Sequence, residues 1–160
     1  MSIEIVRAYF HQLGLEERVL EFPVSSATVE LAAQALNCDP ARIAKTLSFK
    51  VNDAPILIVA AGDTKVDSSK FKGFFHTKAK MLTFEEAHNM VGHDPGGVCS
   101  FALPEGVKTY LDVSMKRFET VFPAAGSSNS AVELTCEELE KASSNFVEWV
   151  DICKGWQTEE

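Results

Sequence analysis

Residues 46–61 read TLSFKVNDAPILIVAA, and they contain two strand signals separated by a turn signal. Apolar and polar residues alternate over Thr46–Val51, which is the period of a strand with one buried face. Asn52-Asp53 is a turn sequence, and Pro55–Ala61 is an unbroken apolar run, as expected for a strand buried on both faces. We therefore predict a β-hairpin in the middle of a sheet.

Signals for helices and further strands lie on both sides of this hairpin. Predicted helices run from Ser2 to Gly14, from Ser25 or Ser26 to Leu36, from Asp39-Pro40 for one or two turns, from Asp67 through Phe71, from Thr83 to Gly92 and from Thr135 to about Ser143. Predicted strands are Arg18–Phe22, Val98–Leu103, Lys108–Val113, Thr120–Ala124, Ala131–Leu134 and Phe146–Ile152. Because strands and helices are not strictly interleaved, we predict an α/β fold with a mixed sheet.

Length and composition limit the class of protein. A chain of 160 residues that is 46% hydrophobic suits one domain, 1–160, with its own core. No apolar run reaches the roughly 18 residues of a membrane-spanning helix, and the N-terminal segment lacks the pattern of a signal peptide. We expect a cytoplasmic protein without a membrane partner, whose four cysteines are reduced thiols.

Charge is distributed unevenly along the chain. The net charge of −8 disfavours a general nucleic-acid-binding protein. Residues 64–80 nevertheless carry five lysines against one acid, whereas residues 133–160 carry eight acids against two lysines. The lysine-rich segment fits either an anion-binding face or a solvated loop.

The stretch GHDPGGVCSF, residues 92–101, combines glycines with a thiol, a hydroxyl and an aromatic ring. It is not a Walker loop, because Val98 and Cys99 stand where that motif needs Lys and Ser or Thr. Cys99 is either a nucleophile with His93 as its base or a packed core thiol. Since no helical i, i+4 pair of histidines and no C-x-x-C pair occurs, we expect no metal site and no cofactor.

Lys45 is a second candidate, because it enters a central strand among apolar and small neighbours. A lysine is costly to bury there without a partner. Its ammonium either reaches water along the apolar stem or is fixed in a pocket to bind an anion or a developing oxyanion.

Five segments follow one another in a distinctive order: AKTLSFK (44–50), ILIVAAGDTKVDSSK (56–70), GHDPGGVCSFAL (92–103), YLDVSM (110–115) and FPAAGSSNSAVEL (122–134). Together they resemble the YbaK/EbsC-type aminoacyl-tRNA deacylases, which include free-standing trans-editing proteins and the editing insertion of bacterial prolyl-tRNA synthetases. The resemblance implies a mixed, strongly curved β-sheet flanked by helices in a single domain. Ser100 departs from the family pattern, which usually has proline there, and this departure concerns loop rigidity and substrate choice.

The resemblance also implies an activity, the hydrolysis of the ester of mischarged aminoacyl-tRNA of the Cys-tRNAPro or Ala-tRNAPro type. Lys45 matches the family's lysine and would position the substrate, while backbone N–H groups of Gly96, Gly97 and Val98 would stabilise the oxyanion. The further substrate contacts that it implies are Thr46, Asp63, Lys65, Lys70, Cys99, Ser100, Phe101, Asp112, Gly126, Ser127 and Ser128. The implied partners are the 3′ acceptor end of aminoacyl-tRNA and an aminoacyl-tRNA synthetase that delivers it.

Three questions stay open on the sequence alone. Asp112 fits a substrate-orienting carboxylate as well as a cap for the following turn. The protein also fits a non-catalytic module that binds a nucleotide or small molecule, or a Cys99-dependent hydrolase. Turnover of aminoacyl-tRNA distinguishes the first of these two rivals, and the activity of Cys99→Ala distinguishes the second.

Overall fold

The computed structural model describes residues 2–93 and 98–156, which form short helices around a curved sheet. The helices are α1 (Ser2–Gln12), α2 (Val29–Leu36), α3 (Ser68–Phe75), α4 (Phe84–Glu86) and α5 (Cys136–Ala142). The strands are β1 (Val19–Glu21), β2 (Ile43–Val51), β3 (Ala54–Ala61), β4 (Lys65–Val66), β5 (Lys108–Asp112), β6 (Thr120–Pro123), β7 (Ser130–Val132), β8 (Leu134–Thr135), β9 (Phe146–Val150) and β10 (Cys153–Lys154). Single 3₁₀ turns cover Glu16–Arg18, Pro40–Arg42 and Val113–Arg117, and a π-helical turn, Ala87–Val91, continues α4.

The predicted hairpin is the centre of the sheet. β2 and β3 pair antiparallel from Ala44 opposite Ala61 to Val51 opposite Ala54. The turn residues Asn52 and Asp53 have φ values of 52° and 65°, and a type I′ hairpin turn has positive φ at both central positions. This prediction is confirmed.

Six strands of the described residues form the main sheet, in the order β8-β6-β2-β3-β5-β9. β2 with β6, β3 with β5 and β5 with β9 are parallel pairs, whereas β2 with β3 and β6 with β8 are antiparallel. The sheet is therefore mixed, as predicted. Two small antiparallel pairs, β1 with β7 and β4 with β10, extend the fold beyond it.

Helices pack on the sheet through separate apolar clusters. Val6 and Phe10 of α1 and Leu139 of α5 pack in one cluster, together with Phe101. On α3, Phe71 packs in another cluster against Phe49 of β2, with ring centroids 5.0 Å apart. No helix within residues 2–93 and 98–156 is long and apolar enough to cross a membrane.

Two predicted starts of elements are wrong. Helix α2 is capped by Thr28, whose side chain accepts a hydrogen bond from the Leu31 N–H at 3.1 Å, whereas the Ser26 N–H donates to the Ser128 carbonyl at 2.7 Å. β2 begins at Ile43 rather than Thr46, because its first residues pair with β6. Lys45 is thus inside the strand.

The segment 98–103 is not the predicted strand. Ala102 has a positive φ of 57°, which breaks the extended conformation. Its backbone is bonded to the turn after α5 instead: the Ser144 N–H donates to the Ser100 carbonyl at 2.7 Å, and the Leu103 N–H donates to Ser144 Oγ at 3.3 Å. Tertiary contacts therefore outweigh the local strand preference of this segment.

Candidate functional site

A cleft of about 380 Å³ opens beside the first half of β2. Its size is within the usual range for small-molecule sites. Small residues dominate its wall, including six alanines: Ala27, Ala32, Ala44, Ala87, Ala124 and Ala131. The other lining residues are Ser26, Thr28, Val29, Ile43, Lys45, Thr46, Ser48, Met81, Leu82, Thr83, Phe84, Val98, Phe122 and Ser130.

Lys45 is the one lysine or arginine among the described residues that line this cleft. It lies opposite Ala60 in the central hairpin, and its ammonium donates a hydrogen bond to the carbonyl of Thr64. That carbonyl is held rigidly, because Thr64 is buried and its Oγ1 donates to the Ala61 carbonyl at 2.7 Å. The β2–β3 ladder and the turn after it therefore fix both ends of the lysine side chain.

Burial lowers the pKa of Lys45 below its ordinary value of 10.5, although neighbouring acidic groups act in the opposite direction. The two that raise it most, Cys153 and Asp63, are not available as counter-ions. Burial raises the pKa of the Cys153 thiol to about 12, so this neighbour is uncharged at neutral pH. Asp63 is held by Arg117 through two hydrogen bonds of 2.7 and 3.0 Å. Within residues 2–93 and 98–156, Lys45 has no ion-pair partner.

Gly62 lets the end of β3 approach the elements that frame Lys45. A Cβ at this position would lie 2.2 Å from the Pro40 carbonyl oxygen and 2.8 Å from Val29 Cγ1. Both distances are far below contact distance, so any side chain would push apart β3, the Pro40–Arg42 turn and the start of α2. The sequence ILIVAAG ends in glycine for this steric reason.

Hydroxyl groups line the cleft beside Lys45. Thr46 Oγ1 is buried and has no hydrogen-bond partner among the described residues. Ser130 Oγ forms a 2.7 Å hydrogen bond with Ser127 Oγ. A buried hydroxyl without a partner costs free energy, so a ligand that bonds Thr46 would recover it.

The glycine-rich stretch contributes Val98 to the cleft. Gly96 and Gly97 lie outside the described residues. Cys99 and Phe101 are buried in the core with α1, and Ser100 Oγ bonds Ser143 Oγ at 2.9 Å. The side chains of residues 99–101 thus pack inside the protein, away from the lining of the cleft.

The Cys99 thiol is a poor candidate nucleophile. Its Sγ lies 3.5 Å from His93 Nε2, which is the pairing that the sequence left open. Burial nevertheless raises the pKa of the thiol to about 12, so it is protonated at neutral pH. The geometry therefore favours the core-packing interpretation of Cys99.

Three charged residues that the resemblance associates with the substrate lie outside the cleft lining. Asp63 is paired with Arg117, and the guanidinium holds the pKa of that carboxyl below its ordinary value. Lys70 pairs with Asp151 at 3.2 Å. Lys65 is exposed on β4.

Asp112 and the 126–128 turn have structural contacts. Asp112 is fully buried, and its two carboxylate oxygens accept hydrogen bonds from the Ser114 and Ile152 N–H groups, each at 3.0 Å. It caps the Val113–Arg117 turn, which was the second possibility for this residue. Gly126 is buried with a φ of 92°, and the Ser128 carbonyl holds Ser26. None of the three turn residues lines the cleft, although their neighbours Ala124 and Ser130 do.

Two lining residues that the sequence analysis missed are Met81, which precedes α4, and Phe84, which is the first residue of α4. The capping box that starts at Thr83 is visible in the sequence, and the structure confirms it. Nothing in the local sequence shows that the following ring faces solvent rather than the core. Among the described residues, no cluster of three or more His, Cys, Asp or Glu side chains could hold a metal ion.

The chain is similar to proteins of one family. The profile of the aminoacyl-tRNA editing domain matches residues 24–142. The chain is 51% identical over 158 residues to the uncharacterised protein YwhH of Bacillus subtilis (strain 168), covering 98% of this chain and 100% of that protein. It is also 32% identical over 90 residues to the proline–tRNA ligase of Bacillus pumilus (strain SAFR-032), which covers 56% of this chain and 16% of the ligase.

Solved structures show the same fold. The crystal structure of a proposed trans-editing enzyme for prolyl tRNA synthetase matches with a TM-score of 0.86 at 24% identity, covering 96% of this chain and 98% of that one. The hypothetical protein APE2540 matches with a TM-score of 0.83 at 24% identity, covering 94% and 99%. These likenesses confirm the predicted fold class. Because the family profile covers most of the sequence, this chain belongs to the aminoacyl-tRNA editing domain family.

Proposed function

We propose that this protein hydrolyses the ester of a mischarged aminoacyl-tRNA, acting in trans on tRNAPro that carries cysteine or alanine. The observation that carries the proposal is Lys45, a half-buried ammonium at a cleft, without a carboxylate partner among the described residues. A partly desolvated cation that lacks a carboxylate partner favours an anionic ligand. A terminal phosphate or a developing oxyanion satisfies this requirement.

The group that is removed would be a small amino acid, for which the cleft has room. Six alanines and three serines line it, so little of its volume is filled by side chains. Thr46 Oγ1 offers a hydroxyl without a partner to the amino or carbonyl group of the substrate.

The reaction needs little from the enzyme beyond positioning, because an aminoacyl ester is already activated. A water molecule, or a thiol or hydroxyl of the substrate itself, attacks the ester carbonyl and forms a tetrahedral oxyanion. Backbone N–H groups at residues 96–98 and the Lys45 ammonium would stabilise this charge. The C–O bond then breaks, and the ribose oxygen leaves with a proton. With water as the nucleophile, the products are the free amino acid and the tRNA hydroxyl.

Deacylation of a panel of charged tRNAs tests this function. The panel is tRNAPro carrying Cys, Ala, Ser, Thr or Pro, with wild type, Lys45→Ala and the exposed control Lys108→Ala measured side by side. We expect cleavage of the Cys or Ala ester, a loss of about 10²- to 10³-fold in kcat/KM for Lys45→Ala, and no change for Lys108→Ala.

Two outcomes would contradict the proposal. If no ester is cleaved faster than it hydrolyses spontaneously, the protein is not a deacylase of this panel, and binding without turnover would favour a non-catalytic nucleotide-binding module. If Lys45→Ala is as active as wild type, the role given to the lysine is wrong. A synthetase that delivers the tRNA would be found by a rise in turnover when prolyl-tRNA synthetase is added.

A further inference from the structure

Two large apolar side chains are exposed at the mouth of the cleft. Phe84 is 69% exposed and Met81 is 55% exposed, and both line the cleft. Single exposed apolar residues are common on protein surfaces, but adjacent ones at the edge of a cleft indicate a contact surface. We call these two residues the rim pair.

The segment that carries the rim pair is held firmly to the sheet. The Leu82 N–H donates to the Ser48 carbonyl at 3.1 Å, and the Lys50 N–H donates to the Lys80 carbonyl at 2.8 Å. A capping box joins Thr83 and Glu86. The backbone on both sides of Phe84 is thus fixed while the ring stays exposed, an arrangement that suits a preformed binding surface.

Charge next to the rim pair favours an anionic, aromatic ligand. Residues 72–80 contain Lys72, Lys78 and Lys80 and no acid, in a chain whose net charge is −8. Lys78 and Lys80 are exposed immediately before Met81. On the other side, the Glu86 carboxylate is neutralised by its ion pair with Lys50, so the exposed Glu85 is the acid that remains beside Phe84, against two exposed lysines. Cations beside an exposed ring are the combination that binds single-stranded nucleic acid.

We propose that Phe84 and Met81 form the platform on which the terminal adenine of the tRNA 3′ end stacks, with Lys78 and Lys80 beside the preceding phosphates. The inference rests on the proposed function, and it assigns the nucleobase to the rim and the amino acid to the alanine-lined interior. Unpaired terminal bases are typically recognised by stacking on aromatic rings. The rim pair is too small for a stable protein interface, which needs about 800 Å² from each partner.

Fluorescence of a modified acceptor end tests the stacking directly. The probe is an uncharged tRNAPro acceptor minihelix that carries 2-aminopurine as its 3′-terminal base, whose emission falls when the base stacks. We expect quenching with wild type, loss of quenching with Phe84→Ala and retention with Phe84→Trp. Ile5→Ala, which removes an apolar side chain on α1 that is 54% exposed, is the control and should quench like wild type.

Deacylation kinetics give the second readout. For the ester that wild type cleaves, Phe84→Ala should raise KM by about 10-fold with kcat little changed. Phe84→Trp should have the KM of wild type. Because the ring is exposed, circular dichroism should show an unchanged fold.

The outcomes separate the two proposals. If wild type cleaves the ester while Phe84→Ala leaves both quenching and KM unchanged, the platform is wrong and the function stands. A fall in kcat with unchanged KM and quenching would place Phe84 against the aminoacyl group and would also overturn the platform. If sedimentation shows that wild type is a dimer and Phe84→Ala is a monomer, the rim pair is a self-association surface instead of a platform for the base. If wild type cleaves no ester of the tRNA panel, the proposed function is wrong, and this conclusion does not depend on the quenching result.

Discussion

At the scale of single residues, Lys45 combines a functional requirement with a stability cost. Burial lowers its pKa, which means that the folded protein disfavours the ammonium relative to the unfolded chain. The structure contains no carboxylate bonded to it within the described residues to offset this cost. Such a residue is expected where function, rather than stability, selects the side chain.

The pH dependence of stability should reveal this cost. Between the lowered folded pKa and the ordinary value of 10.5, the unfolded state binds more protons than the folded state, so stability rises with pH in that window. We therefore expect the free energy of unfolding of wild type to increase relative to Lys45→Met as pH rises from neutral towards 10.5. Urea unfolding of both proteins at each pH measures the difference between their free energies of unfolding. Titrating groups that both proteins share cancel in this difference. A difference that falls with rising pH would mean that the ammonium is stabilised by a partner.

Cys99 should behave as a core residue. Its thiol is fully buried and protonated at neutral pH. We expect Cys99→Ala to lose about 1 kcal/mol of stability through lost packing and to keep the kcat/KM of wild type. Iodoacetamide should label this thiol only in the unfolded protein, as mass spectrometry can show. Loss of activity in a folded Cys99→Ala protein would instead support the thiol-dependent hydrolase.

At the scale of elements, two capping boxes of the same type provide a matched pair. Thr83 with Glu86 begins α4 at the cleft, and Thr135 with Glu138 begins α5, whose residues do not line the cleft. Both Thr→Ala changes should cost about 1 kcal/mol of stability, measured by urea unfolding. Only Thr83→Ala should also raise KM for the aminoacyl ester, because it loosens the segment that presents Phe84. Equal KM values for the two variants would show that this cap does not matter to the substrate.

Gly62 joins three elements, and its replacement should be costly. Gly62→Ala places a Cβ 2.2 Å from a backbone carbonyl, so we expect a loss of about 1–3 kcal/mol together with reduced deacylation. Gly73→Ala is the matched control, since a Cβ there meets nothing within 4 Å and lies in α3, where alanine is favoured. It should be neutral or stabilising in thermal unfolding. Equal melting temperatures for both variants would contradict the close approach at Gly62.

Local signals explain which elements were predictable. The hairpin and the two capping boxes depend on residues close in sequence, and the structure confirms them. The strand predicted at 98–103 is absent because bonds to Ser144, more than 40 residues away, fix its backbone. Lys45 and Val98 could be chosen by resemblance and do line one cleft, although their chemical roles stay predictions. Phe84 could not be found, because exposure of a ring depends on what packs over it.

At the scale of the whole molecule, the protein and the tRNA that it is proposed to bind both carry a net negative charge. The net charge of −8 opposes approach of tRNA at long range, so binding must depend on a local region of opposite sign. Five lysines in residues 64–80 supply it, while eight acids lie in residues 133–160. Few phosphate contacts are available to such a surface. Weak binding that depends on salt is the expected consequence.

Salt dependence of tRNA binding tests whether the lysines contact phosphates. Affinity for the uncharged minihelix should fall as salt rises, and Lys78→Ala and Lys80→Ala should each reduce the slope of log affinity against log salt by about 1. Lys141→Ala on α5 removes an exposed lysine from the acidic region and should leave the slope unchanged. Fluorescence anisotropy across a salt series measures all four proteins. If every variant has the same slope, the phosphates lie elsewhere. A lysine whose removal leaves the slope unchanged releases no counterions on binding and therefore does not contact a phosphate.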